Sequence, residues 1–224
     1  FGTGIVKVTP AHDANDFAVA QRHDLPAVAV IGPDGKMSAA AGEFAGLDRF
    51  EARKRIVARL EQEGRLVAAE PYDINLGVCQ RSDDVVEPYL SEQWFVRVRP
   101  LAEPAIRAVQ DGTVRFVPES WSKTYFAWME NIRDWCISRQ LWWGHRIPAF
   151  TCANGHVTVE DQDPEACPTC GSRELVQDPD VLDTWFSSQL WPFSVFGWPE
   201  KTPDLAEFYP TDVLVTGYDI LFFW

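Results

Sequence analysis

"DVLVTGYDILFFW", residues 212–224, is the stretch on which the reading of the fold turns. Asp212 to Thr216 is apolar and rich in β-branched side chains, as a buried strand is. Gly217 interrupts it, and a helical segment is predicted to follow. Strand, glycine turn and helix in that order form the unit of a parallel α/β sheet, in which ligands sit beyond the carboxyl ends of the strands.

Other segments fit a mixed α/β chain. "EQWFVRV" (residues 92–98) reads as a strand and Ser122 to Arg133 as a helix. Trp121, Trp128, Trp135 and Trp142 recur at seven-residue steps, a stripe that reads first as packed core. Around "AAEPYDINLG" (68–77) the character changes to loop, which predicts a domain boundary near residues 69–78. Upstream, Leu47 to Glu63 has the pattern of an amphipathic helix, with Ala52, Ile56 and Leu60 at four-residue steps and Gly64 past its end. "AVAVIG" (27–32) reads as a buried strand entering the turn "GPDG".

The first segment, "IVKVTPAHDANDFAVAQRH" (5–23), concentrates polar groups. Ile5 to Thr9 alternates as a strand would, with Lys7 and Thr9 sharing one face, and Pro10 ends it. A helix starting near Asp13 runs through Phe17 and Ala20 and stops before Pro26. Asp13 and Asp16 then lie three apart on the first turn and can face the same way. Two readings stand at this level. Asp13 is an ordinary N-cap with Asp16 favoured by the helix dipole, or the cluster is a binding site.

Length and composition bound the function. The 224 residues, 46% hydrophobic, suit one large or two small globular domains. No apolar run approaches the roughly 20 residues of a membrane span, and no signal peptide is recognisable. The net charge of -13 argues against generic nucleic-acid binding. The one cationic run, Arg49, Arg53, Lys54, Arg55 and Arg59, reads as a solvated helix face. Five cysteines that cannot all pair point to a reducing, cytoplasmic setting.

"CANGHVTVEDQDPEACPTCG" (152–171) supplies Cys152, His156, Cys167 and Cys170 as C-x3-H and C-x2-C pairs separated by ten residues. Each pair closes a tight turn that aims two ligands at one centre. A closed set of four soft or borderline ligands is the pattern of a structural zinc knuckle, which metal rather than an apolar core would hold together. A C-x2-C redox motif is the competing reading, and His156 is the weakest ligand of the set.

Six blocks carry a resemblance: "FGTGIVKVTPAHDANDF", "EFAGLDRFEAR", "VVEPYLSEQWFV", "ENIRDWCISRQLWWGHRIP", "DPDVLDTWFSSQLWPFS" and "FYPTDVLVTGYDILFFW". In this order they resemble the central part of the bacterial-type valyl-tRNA synthetases, class I aminoacyl-tRNA synthetases that ligate valine to tRNA(Val). The resemblance covers nearly the whole chain. Both ends read as cuts, and the family's HIGH and KMSKS sequences, which hold ATP, are absent. The chain is therefore expected to be a fragment that does not aminoacylate alone.

The resemblance implies an α/β fold: part of a Rossmann-type catalytic domain, an α+β or β-barrel-like editing portion and the zinc knuckle. Its implied organisation is 1–70 editing domain, 71–121 connection, 122–150 catalytic segment, 151–178 knuckle and 179–224 catalytic segment. Implied partners are tRNA(Val), valine and ATP with Mg2+, in an enzyme that is monomeric at full length. Editing in the family removes threonine wrongly esterified to tRNA(Val). By resemblance Lys7, Thr9, Asp13 and Asp16 fall on the editing pocket. Asp16 is assigned chiefly to the substrate ammonium, Asp13 to substrate or water, Thr9 to the threonyl hydroxyl, and Lys7 to the ester or ribose-phosphate side. His12 is expected to orient one of the aspartates. Ala14 stands where many relatives have proline.

On the synthetic side Trp143, Val181 and Trp185 resemble the valine-pocket wall, with Asp180 a polar contact or loop cap. Gly217 and Asp219 fall on nucleotide-binding positions, and Arg139 and His145 on the pocket edge. Two other functions compete: a freestanding deacylase of mischarged tRNA, and a non-catalytic zinc-ribbon binding module.

Overall fold

The computed structural model describes residues 4–224. The first residues of the opening family block, Phe1 to Thr3, lie outside the described residues. The chain forms two compact units, residues 1–92 and 93–224.

In the first unit, α1 (Ala14–His23) begins where the sequence places it. Asp13 is its N-cap, accepting hydrogen bonds from the amides of Asn15 and Asp16 at 2.8 and 2.9 Å. Asp24 closes it in the left-handed conformation, φ 52°. The "GPDG" turn forms as predicted, with the Gly35 amide donating to Gly32 O at 3.0 Å and an Ile31–Met37 bridge above it. α2 (Arg49–Gln62) is capped by Asp48, buries Ala52 and ends before Gly64 at φ 66°. The cationic run on α2 is solvated and largely paired: Arg55 with Glu51, and Arg59 with Glu63 and Glu43. Arg49 turns inward to Glu87 at 2.8 Å and donates to Val85 O. Residues 65–77 contain no helix or strand.

Two predicted strands of this unit do not form. Ile5 to Thr9 is not in a sheet, and Ile5 is 89% exposed. "AVAVIG" is reduced to the single bridge at Ile31, with Val28 exposed. A strand is stable only against a partner ladder and a covered face, and neither segment has them among the described residues.

The second unit begins with β1 (Phe95–Val96), α3 (Arg99–Gln110) and α4 (Trp121–Glu130). α3 and α4 pack through Ala102, Ile106, Tyr125 and Met129, with Phe116, Phe126 and Phe222 against that core. β2 (Trp135–Cys136) pairs antiparallel with β1, and β3 (Ser138–Arg139) pairs with β7 (Val181–Leu182). Between them β4 (Ala149–Cys152), β5 (Val157–Val159) and β6 (Leu175–Gln177) form an antiparallel sheet in the order β5-β4-β6. α5 (Thr184–Ser188) follows β7 directly.

The content is mixed α and β, but every ladder among the described residues is antiparallel. Asp212 to Thr216 is not a strand, and Val215 is 93% exposed. After Gly217 a single 3-10 turn, Tyr218–Ile220, replaces the expected helix. Ring stacking accounts for the course of this segment: Tyr218 on Trp121 at 4.6 Å, Phe222 on Trp128 at 4.5 Å and Phe223 on Trp185 at 4.6 Å. Trp121 and Trp128 thus share a face of α4, as the seven-residue step requires. Trp135, in β2, and the fully exposed Trp142 do not continue the stripe, because α4 ends at Glu130 and the helical period ends with it.

Ile106→Ala is expected to weaken the α3–α4 pair by about 2–4 kcal/mol through loss of buried surface and an unfilled cavity. Amide hydrogen exchange would show this as lost protection in α3 and α4 with α2 unchanged.

Candidate functional site

The metal-ligand set is the most sharply defined site. β4 delivers Cys152 at its end, and the tight turn 152–155 returns His156 at the start of β5. The Cys167–Gly171 turn, closed by the Gly171 amide on Cys167 O at 2.8 Å, brings in Cys167 and Cys170. The four ligand atoms lie within 4.8 Å of one another. Cys152 Sγ is 3.5 Å from His156 Nδ1 and 3.7 Å from Cys170 Sγ, and Cys167 Sγ is 3.9 Å from His156 Nδ1. Tetrahedral bonds of about 2.3 Å to sulfur and about 2.0 Å to nitrogen require edges near ~3.8 and ~3.5 Å. The donors therefore fit an ion of zinc's size, and His156 belongs to the set.

The thiols differ. Asn154 Nδ2 donates to Cys170 Sγ at 3.3 Å, and that bond together with the Ser172 amide lowers the Cys170 pKa to about 7. Burial pushes the Cys152 thiol up. Burial also opposes ionisation of Cys167, but the amides of Cys170 and Thr169 outweigh it and hold that thiol below its ordinary value. Asn154 is a contributor that the Cys/His spacing did not reveal.

The polar cluster of residues 7–16 is brought together in part. Asp16 Oδ2 accepts from the Thr9 amide at 2.7 Å and the Thr9 hydroxyl at 3.1 Å, fastening the extended segment onto the first turn of α1. Asp13 Oδ1 is occupied by its capping bonds, so the capping reading is correct for that oxygen. Lys7 is exposed and has no ion-pair partner among the described residues. His12 does not orient an aspartate. Its Nε2 accepts from the Val30 and Ile31 amides at 2.9 and 3.2 Å, and its Nδ1 lies 2.9 Å from Pro88 O.

In the second unit, Asp183 caps α5 through the Trp185 amide at 2.9 Å and pairs with Arg139. Arg139 also holds the carbonyls of Cys136 and Ser138 at 2.8 and 2.9 Å. Trp185 is half-buried against Phe223 and Trp224. Val181 is buried, and Gly144 lies on it so closely that a Cβ there would come within 2.9 Å of Val181 Cγ2. Trp143 is 90% exposed. Asp180 accepts from Gln140 Nε2 at 2.7 Å in a network that continues through Gln93 to the buried Ser138. The exposed His145 meets Leu182 only through its backbone carbonyl. Asp219 is exposed, with its carboxylate against the α-carbon of Gly217. Asp183 and Gln140 were not singled out from the sequence; the only trace of Asp183 was its place before a helix start, an N-cap signature.

Comparison with known proteins places residues 73–224 in the family described as tRNA synthetases class I (I, L, M and V). The whole chain is 60% identical to the valine--tRNA ligase of Solibacter usitatus, covering 26% of that protein. It is 60% identical to that of Symbiobacterium thermophilum, covering 25%, and 58% identical to that of Thermotoga maritima, covering 26%. The chain thus spans about a quarter of the length of the curated relatives it matches.

A single tightly held metal ion is expected in the purified protein by elemental analysis. Cys167→Ala, which removes a fully buried ligand, should abolish it and expose Cys152 to thiol reagents.

Proposed function

The chain belongs to the class I tRNA synthetases of the isoleucine, leucine, methionine and valine group, and from that premise we propose that it is part of a valine–tRNA ligase. That enzyme activates valine with ATP and Mg2+, transfers it to tRNA(Val), and deacylates threonyl-tRNA(Val). The observation that carries this reading is the match of the chain over its whole length to valine--tRNA ligases. In this reading residues 1–70 belong to the editing domain and 71–121 connect it to the catalytic domain. Residues 122–150 and 179–224 belong to a Rossmann-type catalytic domain, with 151–178 as an inserted zinc knuckle. The enzyme works in the cytoplasm as a monomer.

A second site is needed for a physical reason. Threonine places a hydroxyl where valine has a methyl, and an apolar pocket rejects it poorly; this pair is itself the standard illustration of that limit. A pocket that hydrogen-bonds the hydroxyl inverts the preference, because valine leaves its polar groups unpaired. Thr9 suits that role. Its hydroxyl donates to Asp16, so the Thr9 oxygen keeps lone pairs to accept from a threonyl hydroxyl. Asp16 Oδ1 is the natural partner for the substrate ammonium. Asp13 Oδ2, which takes no hydrogen bond among the described residues, orients substrate or water. Lys7, exposed and without a carboxylate partner among the described residues, is assigned to the ester or ribose-phosphate side. Positioning a water against an ester already activated for acyl transfer needs little more than orientation.

The metal site, with four protein ligands and no open position, supports a structural zinc rather than a reacting one. On the synthetic side Trp143, Val181 and Trp185 form the wall that accepts valine's branched side chain, beside Asp180. Gly217 and Asp219 meet ATP, Gly217 by letting the nucleotide approach the backbone.

In the full-length enzyme, Asp16→Ala is expected to slow deacylation of threonyl-tRNA(Val) by about 10- to 100-fold, the worth of one or two charge-assisted hydrogen bonds. Valine-dependent ATP–pyrophosphate exchange should be unchanged. Deacylation at the unmutated rate would remove Asp16 from the site.

A further inference from the structure

We propose that His12 is a positioning residue of the deacylation site, a neutral Nδ1–H imidazole that straps the Thr9–Asp13 turn to two distant stretches of its unit. The inference rests on the reading of Thr9 and Asp16 as that site.

The tautomer follows from the partners. Backbone N–H groups only donate, so Nε2, facing the amides of Val30 at 2.9 Å and Ile31 at 3.2 Å, must present its lone pair. A carbonyl only accepts, so the ring proton sits on Nδ1 and is given to Pro88 O at 2.9 Å. Both nitrogens are thereby committed. The ring has no group left for substrate and acts only through what it holds.

What it holds is the turn between the two substrate-facing residues. The His12 amide donates to Thr9 O at 3.1 Å, the adjacent Ala11 is buried, and Asp13 opens α1. Thr9 in turn meets Asp16 on that helix. The buried apolar residues of this unit among the described residues are all small: Pro10, Ala11, Ala20 and Ala52. Pro10 and Ala11 seat the turn with little apolar surface and no directional preference, and the three hydrogen bonds of one ring set its orientation. Val30 and Ile31 lead into the "GPDG" turn and Pro88 follows the Arg49–Glu87 pair. The strap thus refers Thr9 and Asp16 to two braced parts of the unit.

The test compares His12→Phe, which keeps a flat ring and loses both straps, with His12→Gln, whose side-chain oxygen can again accept from Val30 and Ile31. Both are made in the full-length enzyme beside Asp16→Ala. His12→Phe is expected to lower kcat for threonyl-tRNA(Val) deacylation by about tenfold or more, the scale on which a misplaced reacting group loses rate. Valine charging should be unaltered, and His12→Gln should recover most of the loss. Normal deacylation by His12→Phe, equal loss in Phe and Gln, or joint loss of deacylation and charging would each overturn the inference. If Asp16→Ala alone is impaired, only the role of His12 fails; if Asp16→Ala deacylates normally, the site itself has been misread.

Discussion

In a chain that is 46% hydrophobic, the largest completely buried side chain among the described residues is a cysteine, Cys167. That scarcity of deep apolar burial is the constraint from which the rest follows. Where surface burial cannot fix a segment, directed bonds must. The sheet β5-β4-β6 is drawn together by three thiols and an imidazole aimed at one centre. The start of α5 is held by Asp183, bonded at once to the Trp185 amide and to Arg139. The first unit is held by His12 and by the inward-turned Arg49. No buried side-chain nitrogen or oxygen among the described residues lacks a partner. This is what such cross-linking requires, because an unpaired buried polar group costs more than a made bond returns.

The same economy leaves room in the first turn of α1 for the proposed chemistry beside the capping. A carboxylate has two oxygens and about four acceptor sites. Asp13 gives one oxygen to the helix amides, and Asp16 gives one to Thr9. Capping and the proposed substrate binding, which look like alternatives in the sequence, call on different atoms of the same groups. Locking the first oxygen orients the second, as the preorganisation of a polar site demands.

What was legible in the sequence was local. Asp13 and Gly64 marked helix ends because capping involves only a few consecutive residues, and the "GPDG" turn is equally self-contained. Cys152, His156, Cys167 and Cys170 were legible because metal geometry restricts ligand spacing. The three missed strands, at residues 5–9, 27–32 and 212–216, share a cause: alternation and β-branching describe how a segment would sit in a sheet, whereas the partner strand lies elsewhere in the chain. The tryptophan stripe failed beyond Trp128, at Trp135 and Trp142, because a heptad step has meaning only within one helix. His12 was singled out but given the wrong partner. Its true partners are 18, 19 and 76 residues away, and no local pattern encodes that.

The pairing of β3 with β7 determines what the metal site can influence. Arg139 lies opposite Val181, and the Ile147 and Leu182 amides bond to the carbonyls of Asp180 and His145. Residues 140–180 therefore leave and rejoin the chain at one place, as an excursion whose two ends are tied together. Trp143, Gly144 and Asp180 lie at that base, with Gly144 pressed on Val181 and Gln140 bonded to Asp180. The metal set lies at the far end of the same excursion, on the turns after β4 and before β6. Ordering the far end shortens the free loop that the base must close, which lowers the entropy cost of holding the base in register. The Cys/His set can thus support the pairing of β3 with β7, which it never touches.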